Sequence, residues 1–174
     1  MTHAPARIQE LLASLDIAPA RIAQKNLLFQ PEPGELVIAA IGDDGREHRL
    51  TPAAAAAWRA MSAAALADGV VLKIVSAFRS IERQAEIVRA KRERGLSIDA
   101  ILEFSAPPGY SEHHTGRAID VTTDGAPALE LEFERTAAFR WLVANAARFG
   151  FFLSYPEGNA HGYAYEPWHW CYAD

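Results

Sequence analysis

Two stretches of this chain bring together residue types suited to metal chemistry: Ser111-Glu-His-His-Thr-Gly-Arg-Ala-Ile-Asp120 and, much later, Glu166-Pro-Trp-His169. They gather two or three imidazoles with two carboxylates, the donor set of a zinc ion that keeps one coordination position open. Zinc held by imidazole nitrogen and carboxylate oxygen is as a rule catalytic, whereas structural zinc favours thiolates. The chain has one cysteine, Cys171, which excludes a closed thiolate site. The chemistry that suits these residues is metal-assisted hydrolysis.

The spacing constrains which side chains meet. His113 and His114 are neighbours, and in an extended loop adjacent side chains point to opposite sides, so only one of them is expected at the ion. Gly116 and Ala118 are small enough to let the backbone pass close to whatever the loop surrounds. Asp120 falls among Ala118, Ile119 and Val121. A carboxylate buried there without a cation is costly, and a metal is its natural partner. Glu166 precedes Pro167 and is biased towards extended backbone, so the turn through Pro167 and Trp168 can bring Glu166 and His169 to one cavity. In that arrangement His169 is a ligand, and Glu166 faces the bound water as the group that takes its proton.

The elements that position these residues are partly readable. Ile8, Leu11, Leu12 and Leu15 recur at helical spacing. Pro31–Gly34 is a turn, Glu35–Ile41 a strand, and Asp43-Asp44-Gly45 turns the chain back. Thr51-Pro52 caps an alanine-rich helix running to about Asp68, and Val70–Ser76 reads as a buried strand. Ser80 caps a charged helix whose inner face is Ile81, Ala85 and Val88, ending near Gly95; its remaining residues suit a solvated face. Pro107–Thr115 is a loop, Ala118–Val121 a strand and Glu134–Phe149 a helix stopped by Gly150. Helices and strands alternate irregularly, which predicts an α+β fold with a small, mainly antiparallel central sheet flanked by helices. One domain spanning 1–174 is expected, with N-terminal helices and a hairpin over 1–70 and a catalytic core over 71–174.

Composition narrows the function class. A formal charge of −5 with no basic tract gives nucleic-acid binding no electrostatic support. No segment has the length and apolarity of a membrane span, and the first residues lack a secretory signal. Together with the single cysteine this predicts a cytoplasmic monomer, or a periplasmic or cell-wall protein if an export signal has been removed.

The pattern Ser111-x-His113-x-x-Gly116-x-Ala118-x-Asp120 with Glu166-Pro-Trp-His169 resembles the zinc D-alanyl-D-alanine carboxypeptidases of the VanY type, related to the VanX dipeptidases and the hedgehog signalling domain. Ser76-Ala-Phe-Arg79-Ser80 with Gln84, and Gly150-Phe-Phe-Leu-Ser-Tyr155-Pro156, resemble further segments of that family, so the likeness runs from about Leu72 to Tyr172. The resemblance implies Zn2+ on His113, Asp120 and His169, with Glu166 as general base. It implies Arg79 near the scissile carbonyl or the terminal carboxylate, Ser111, Gln84 and Tyr155 as polar contacts to the peptide terminus, and Trp168 as a wall. The chain departs from the family at His114, where glutamine is frequent, and at Cys171, where arginine is frequent.

The activity the resemblance implies is therefore hydrolysis near the C-terminus of a peptidoglycan-type peptide, at D-alanyl-D-alanine. An L,D-carboxypeptidase, a D,D-dipeptidase and a phage-type endopeptidase share the same centre, and a zinc-bearing binding module is the non-enzymatic alternative. Plainer roles compete at single positions. His3, His48 and His161 suit the surface or a hydrogen-bonded core. Arg79 has Glu82 and Glu86 as alternative partners, Ser111 suits a turn or cap, and Cys171 suits an inert buried thiol.

Overall fold

In a computed structural model describing residues 4–173, the elements run in chain order as α1 (Ala6–Ser14), α2 (Pro19–Gln24), β1 (Val37–Ile41), β2 (Glu47–Leu50), α3 (Pro52–Ala67), β3 (Lys73–Ser76), α4 (Ile81–Glu93), α5 (Ile98–Phe104), β4 (Ala118–Thr122), α6 (Ala137–Asn145), β5 (Phe151–Leu153) and β6 (His169–Tyr172). His3 lies outside the described residues. The expected caps hold. The Thr51 hydroxyl accepts from the Ala54 amide at 3.4 Å and the Ser80 hydroxyl from the Arg83 amide at 3.1 Å, each satisfying a donor that a helix start leaves open.

Three expectations are corrected. The helix expected from Glu134 starts at Ala137, because the Thr136 hydroxyl takes the Phe139 amide at 3.1 Å and residues 131–135 form a separate 3-10 turn. Two short helices, α2 and α5, were not anticipated. Residues Glu112–Thr115 form a 3-10 turn rather than an extended loop. His113 and His114 still diverge, but because successive residues of a turn of three point about a third of a revolution apart.

β1 and β2 form an antiparallel hairpin, and the other strands form one antiparallel sheet in the order β3-β4-β6-β5. The fold class is the expected α+β arrangement. Side chains alternate across the sheet. Ile119, Val121 and Trp170 point into a core shared with Trp58, Met61 and Ala65 of α3 and with Leu142 of α6. Met61 and Leu142 are fully enclosed, and truncating such a side chain to alanine costs about 2–5 kcal/mol. Asp120 and His169 then fall on the opposite face, paired directly across β4 and β6.

A second apolar cluster joins Ile8, Leu12 and Leu15 of the N-terminal region to Ile81, Ala85 and Val88 of α4 and to Ile101 and Leu102 of α5. The N-terminal segment also reaches both ends of the turn that carries His113. Gln30 N–H donates to the Gly109 carbonyl at 2.8 Å, and Thr51 N–H donates to the Gly116 carbonyl at 2.9 Å. The Glu32 carboxylate accepts from the Ile81 amide at 2.6 Å, at the start of α4. No helix among the described residues is long and apolar enough to cross a membrane.

Candidate active site

Asp120 sits between two histidines. Its Oδ2 is 3.2 Å from His113 Nε2 and its Oδ1 is 3.1 Å from His169 Nδ1. One ligand atom from each of the three residues lies within 4.8 Å of the others, and all three residues are buried. The far ring nitrogens have partners of their own. His113 Nδ1 donates to the Ala77 carbonyl at 2.7 Å, and His169 Nε2 donates to the Glu112 carboxylate at 2.9 Å. Each imidazole therefore turns its other nitrogen towards Asp120, and such outer contacts are what orient metal ligands.

Charge points the same way. Burial opposes the ionised form of Asp120, yet His113 and His169 hold its carboxyl far below the ordinary range. Burial works against protonation of His169 too, but Asp120 and Glu112 outweigh it and raise His169 to about 10. The site thus draws a positive charge into its centre. Two nitrogens and a carboxylate oxygen converging there suit zinc, which at catalytic sites takes three protein ligands. His113, Asp120 and His169 fit that ion.

Glu166 stands beside this group, its Oε2 3.9 Å from His169 Nδ1. The turn is closed by His169 N–H donating to the Glu166 carbonyl at 3.1 Å, while Glu166 N–H donates to the Tyr155 carbonyl. Burial raises its carboxyl to about 7, against a lowering contribution from His169. A base poised near neutrality suits proton transfer.

Arg79 is locked to the His113 turn through its backbone. Its N–H donates to the His113 carbonyl at 3.1 Å, and its carbonyl accepts from His114 Nδ1 at 2.6 Å. The guanidinium lines the cavity and feels the charges of Asp120 and Glu166. The alternative partners are engaged elsewhere, Glu82 with Arg7 and Glu86 with Arg83. His114 faces away from the ligand group, and its Nε2 accepts from the Gly109 amide at 3.1 Å.

Arg79, Gln84, Ser111, Tyr155, Glu166 and Trp168 all line one cavity of about 660 Å³ next to the three ligand residues. The Ser111 side chain makes no capping hydrogen bond. Gln84 Nε2 donates to the Ala106 carbonyl at 2.7 Å. The Tyr155 ring lies over His169, with centroids 4.6 Å apart and planes 31° apart.

The sequence reading missed several residues. Glu112 precedes His113 and carries no local signal; its role becomes visible only through the orientation of the His169 ring. Lys91 lines the cavity with its Nζ 2.6 Å from the Ser105 hydroxyl. The solvated-face reading of α4 is corrected here, because Gln84, Ile87 and Lys91 recur at helical spacing and all line the cavity. Tyr163 lines the same cavity. Gly116 has a different role from the one expected. At φ +64° it closes the 3-10 turn, and a Cβ there would lie 2.7 Å from Leu36 and 3.3 Å from the Thr51 nitrogen, so the close approach is to the N-terminal segment. Cys171 shares a strand face with His169 but stands outside the ligand group, its thiol pushed up by burial and by the Glu112 charge.

The antiparallel sheet with a buried His-Asp-His cluster and an adjacent carboxylate defines the class of zinc D,D-peptidase-like folds. The family described as VanY, D-alanyl-D-alanine carboxypeptidase, matches residues 47–174, and the chain belongs to that family. It is 37% identical over 119 residues to the D-alanyl-D-alanine carboxypeptidase of Enterococcus faecalis, covering 63% of this chain and 42% of that protein. The chain thus spans less than half the length of that relative. The solved structure of the LdcB LD-carboxypeptidase aligns with a TM-score of 0.73 at 34% identity, over 81% of this chain and 69% of that one. The vancomycin-resistance D,D-pentapeptidase VanY, solved in complex with Zn(II), aligns with a TM-score of 0.64 at 30% identity, over 87% and 89%.

Proposed function

We propose that the protein is a zinc carboxypeptidase that removes the C-terminal D-alanine of peptidoglycan-type peptides ending in D-alanyl-D-alanine. The observation that carries this reading is the juxtaposition of a buried three-residue ligand group with an unligated carboxylate raised to about 7 and a guanidinium in the same cavity. A binding module needs neither a base nor a cation placed there.

Zinc held by His113, Asp120 and His169 would supply a Lewis-acidic centre for the scissile carbonyl and the attacking water. The Glu166 carboxylate takes a proton from that water as its oxygen bonds to the carbonyl carbon. The Arg79 guanidinium, permanently charged and forked, faces the developing negative charge or the terminal carboxylate. Glu166 then delivers its proton to the departing nitrogen as the C–N bond breaks, so the carboxylate is regenerated. Ser111 and Gln84 offer polar contacts to the peptide end, while Tyr155 and Trp168 wall the cavity. The segment from Gln30 to Thr51 supports the same working unit, because Gln30 and Thr51 bond to Gly109 and Gly116 on either side of His113 and Glu32 holds the start of α4.

The LD-carboxypeptidase among the similar structures makes the stereochemistry of the penultimate residue the point to test. Purified zinc-loaded protein is incubated with a pentapeptide ending in D-alanyl-D-alanine and with a tetrapeptide ending in D-alanine after an L-configured centre, and the products are read by mass spectrometry. Chelator-sensitive release of D-alanine from the pentapeptide supports the proposal. Release from the tetrapeptide alone moves the assignment to an L,D-carboxypeptidase, and release from neither overturns it.

A further inference from the structure

Among the described residues, three buried side-chain polar atoms lack a hydrogen-bond partner within the protein: Arg79 Nε, Gln84 Oε1 and Tyr163 Oη. All three residues line the cavity beside the ligand group. Buried polar atoms without partners are disfavoured and rare, and each one calls for an explanation. Their concentration at a single cavity is explained by a ligand that supplies the missing partners.

The chemistry of that ligand follows from the atoms. Gln84 Nε2 is committed to the Ala106 carbonyl, so the free atom of its amide is an acceptor and calls for an N–H. Arg79 Nε is a donor and calls for an oxygen. The Tyr163 hydroxyl is kept protonated by burial and by the nearby Glu166 and Glu112 charges, so it too offers a donor. A peptide terminus carries both an N–H and carbonyl or carboxylate oxygens.

Tyr163 is also held as a binding residue must be. It is 8% exposed. Its ring meets that of Tyr155 with centroids 5.0 Å apart and planes at 66°. Lys25, at the end of α2, places its Nζ 4.3 Å above the Tyr163 ring and donates to the Gly162 carbonyl at 3.0 Å. Lys25 lies before the residues matched by the family, which begin at 47.

We propose that Tyr163 is a further substrate-binding residue of this cavity, its hydroxyl donating to an oxygen of the bound peptide, and that Lys25 is the positioning residue that fixes its ring. The proposal rests on the peptidase reading above, and the test separates the two. Zinc-loaded protein carrying Glu166→Ala, in which turnover is expected to be slowed about 10²–10⁴-fold, is titrated calorimetrically with a pentapeptide ending in D-alanyl-D-alanine. Tyr163→Phe in that background is expected to weaken binding by roughly tenfold, the effect of one hydrogen bond, with zinc content unchanged. Its thermal midpoint is expected to hold or rise, since the lost hydroxyl has no partner in the free protein. Lys25→Met is expected to weaken binding when Tyr163 is present and to add nothing in the Tyr163→Phe protein. Unchanged affinity in Tyr163→Phe, with the pentapeptide still bound, overturns this inference alone. A fall in affinity matched by a fall in midpoint assigns the hydroxyl a structural role and likewise overturns it. Failure of the Glu166→Ala protein to bind the pentapeptide at all overturns the peptidase reading and this inference with it.

Discussion

Glu112 and His169 meet 2.9 Å apart on the side of the imidazole facing away from Asp120, and the Ser154 hydroxyl donates to the same carboxylate oxygen at 2.6 Å. The His169 ring is therefore gripped at both nitrogens, by Glu112 at Nε2 and by the Asp120 side at Nδ1. Ring orientation in this site depends on a residue that touches no ligand-facing atom.

The first prediction follows from that contact. Removing an outer partner of a metal-bound histidine costs about 10–100-fold in metal affinity. Glu112→Ala is expected to lower zinc affinity by that range, measured by competition with a chromophoric chelator, while the far-ultraviolet circular dichroism stays the same. Wild-type affinity in this variant would show that Asp120 and the Tyr155 ring suffice to orient His169.

Glu166→Ala should separate chemistry from metal binding. A general base contributes about 10²–10⁴-fold, so kcat is expected to fall by that factor while zinc stoichiometry holds. Near-normal turnover would assign the base elsewhere. Acidification should strip zinc from the wild type, because His113 and His169 must be unprotonated at the metal; bound metal measured after equilibration across pH checks this.

His114 predicts a separate acid sensitivity. Burial lowers its pKa to about 4, below the value of about 6.5 for an unfolded histidine. Between those values the unfolded chain binds the proton and the folded one does not, so stability falls as pH drops from about 6.5 towards 4. The full shift corresponds to at most about 3 kcal/mol. His114→Gln, which cannot take up a proton, should flatten that part of the curve of unfolding free energy against pH. An unchanged slope would place the acid sensitivity in other groups.

Gly116→Ala tests the seat of the His113 turn. A non-glycine residue in left-handed backbone costs about 1–3 kcal/mol, and the added methyl would also press on Leu36. A loss of at least that size in denaturant unfolding is expected, together with weaker zinc retention. Leu36→Ala in the same chain should recover part of the loss by opening space. No recovery would show that the backbone conformation alone sets the cost.

Much of the site was legible because its residues carry local signals. Asp120 stood out as a carboxylate in an apolar strand, and Pro167 set the backbone before Trp168 and His169. Thr51 and Ser80 announced their helices through capping chemistry. The short helices were lost because six or seven residues provide too little periodicity, although Ser97 caps α5 by accepting from the Ala100 amide at 3.2 Å. Glu112, Lys91 and Tyr163 escaped for another reason. Their roles arise from contacts between segments far apart in the chain, and no spacing within one segment encodes them. The glycine reading failed similarly. Gly116 is a place of close approach, but its neighbours, Leu36 and Thr51, come from a region the motif does not include.

The hydrogen bonds from Gln30 to Gly109 and from Thr51 to Gly116 close large loops of chain before the His113 turn can settle. Contacts of such long sequence separation form late, after the entropy of loop closure has been overcome. Zinc uptake then becomes a reporter of completed folding. A refolding chain should acquire its helices first and its capacity to retain the metal last, with a lag set by docking of the segment from Gln30 to Thr51.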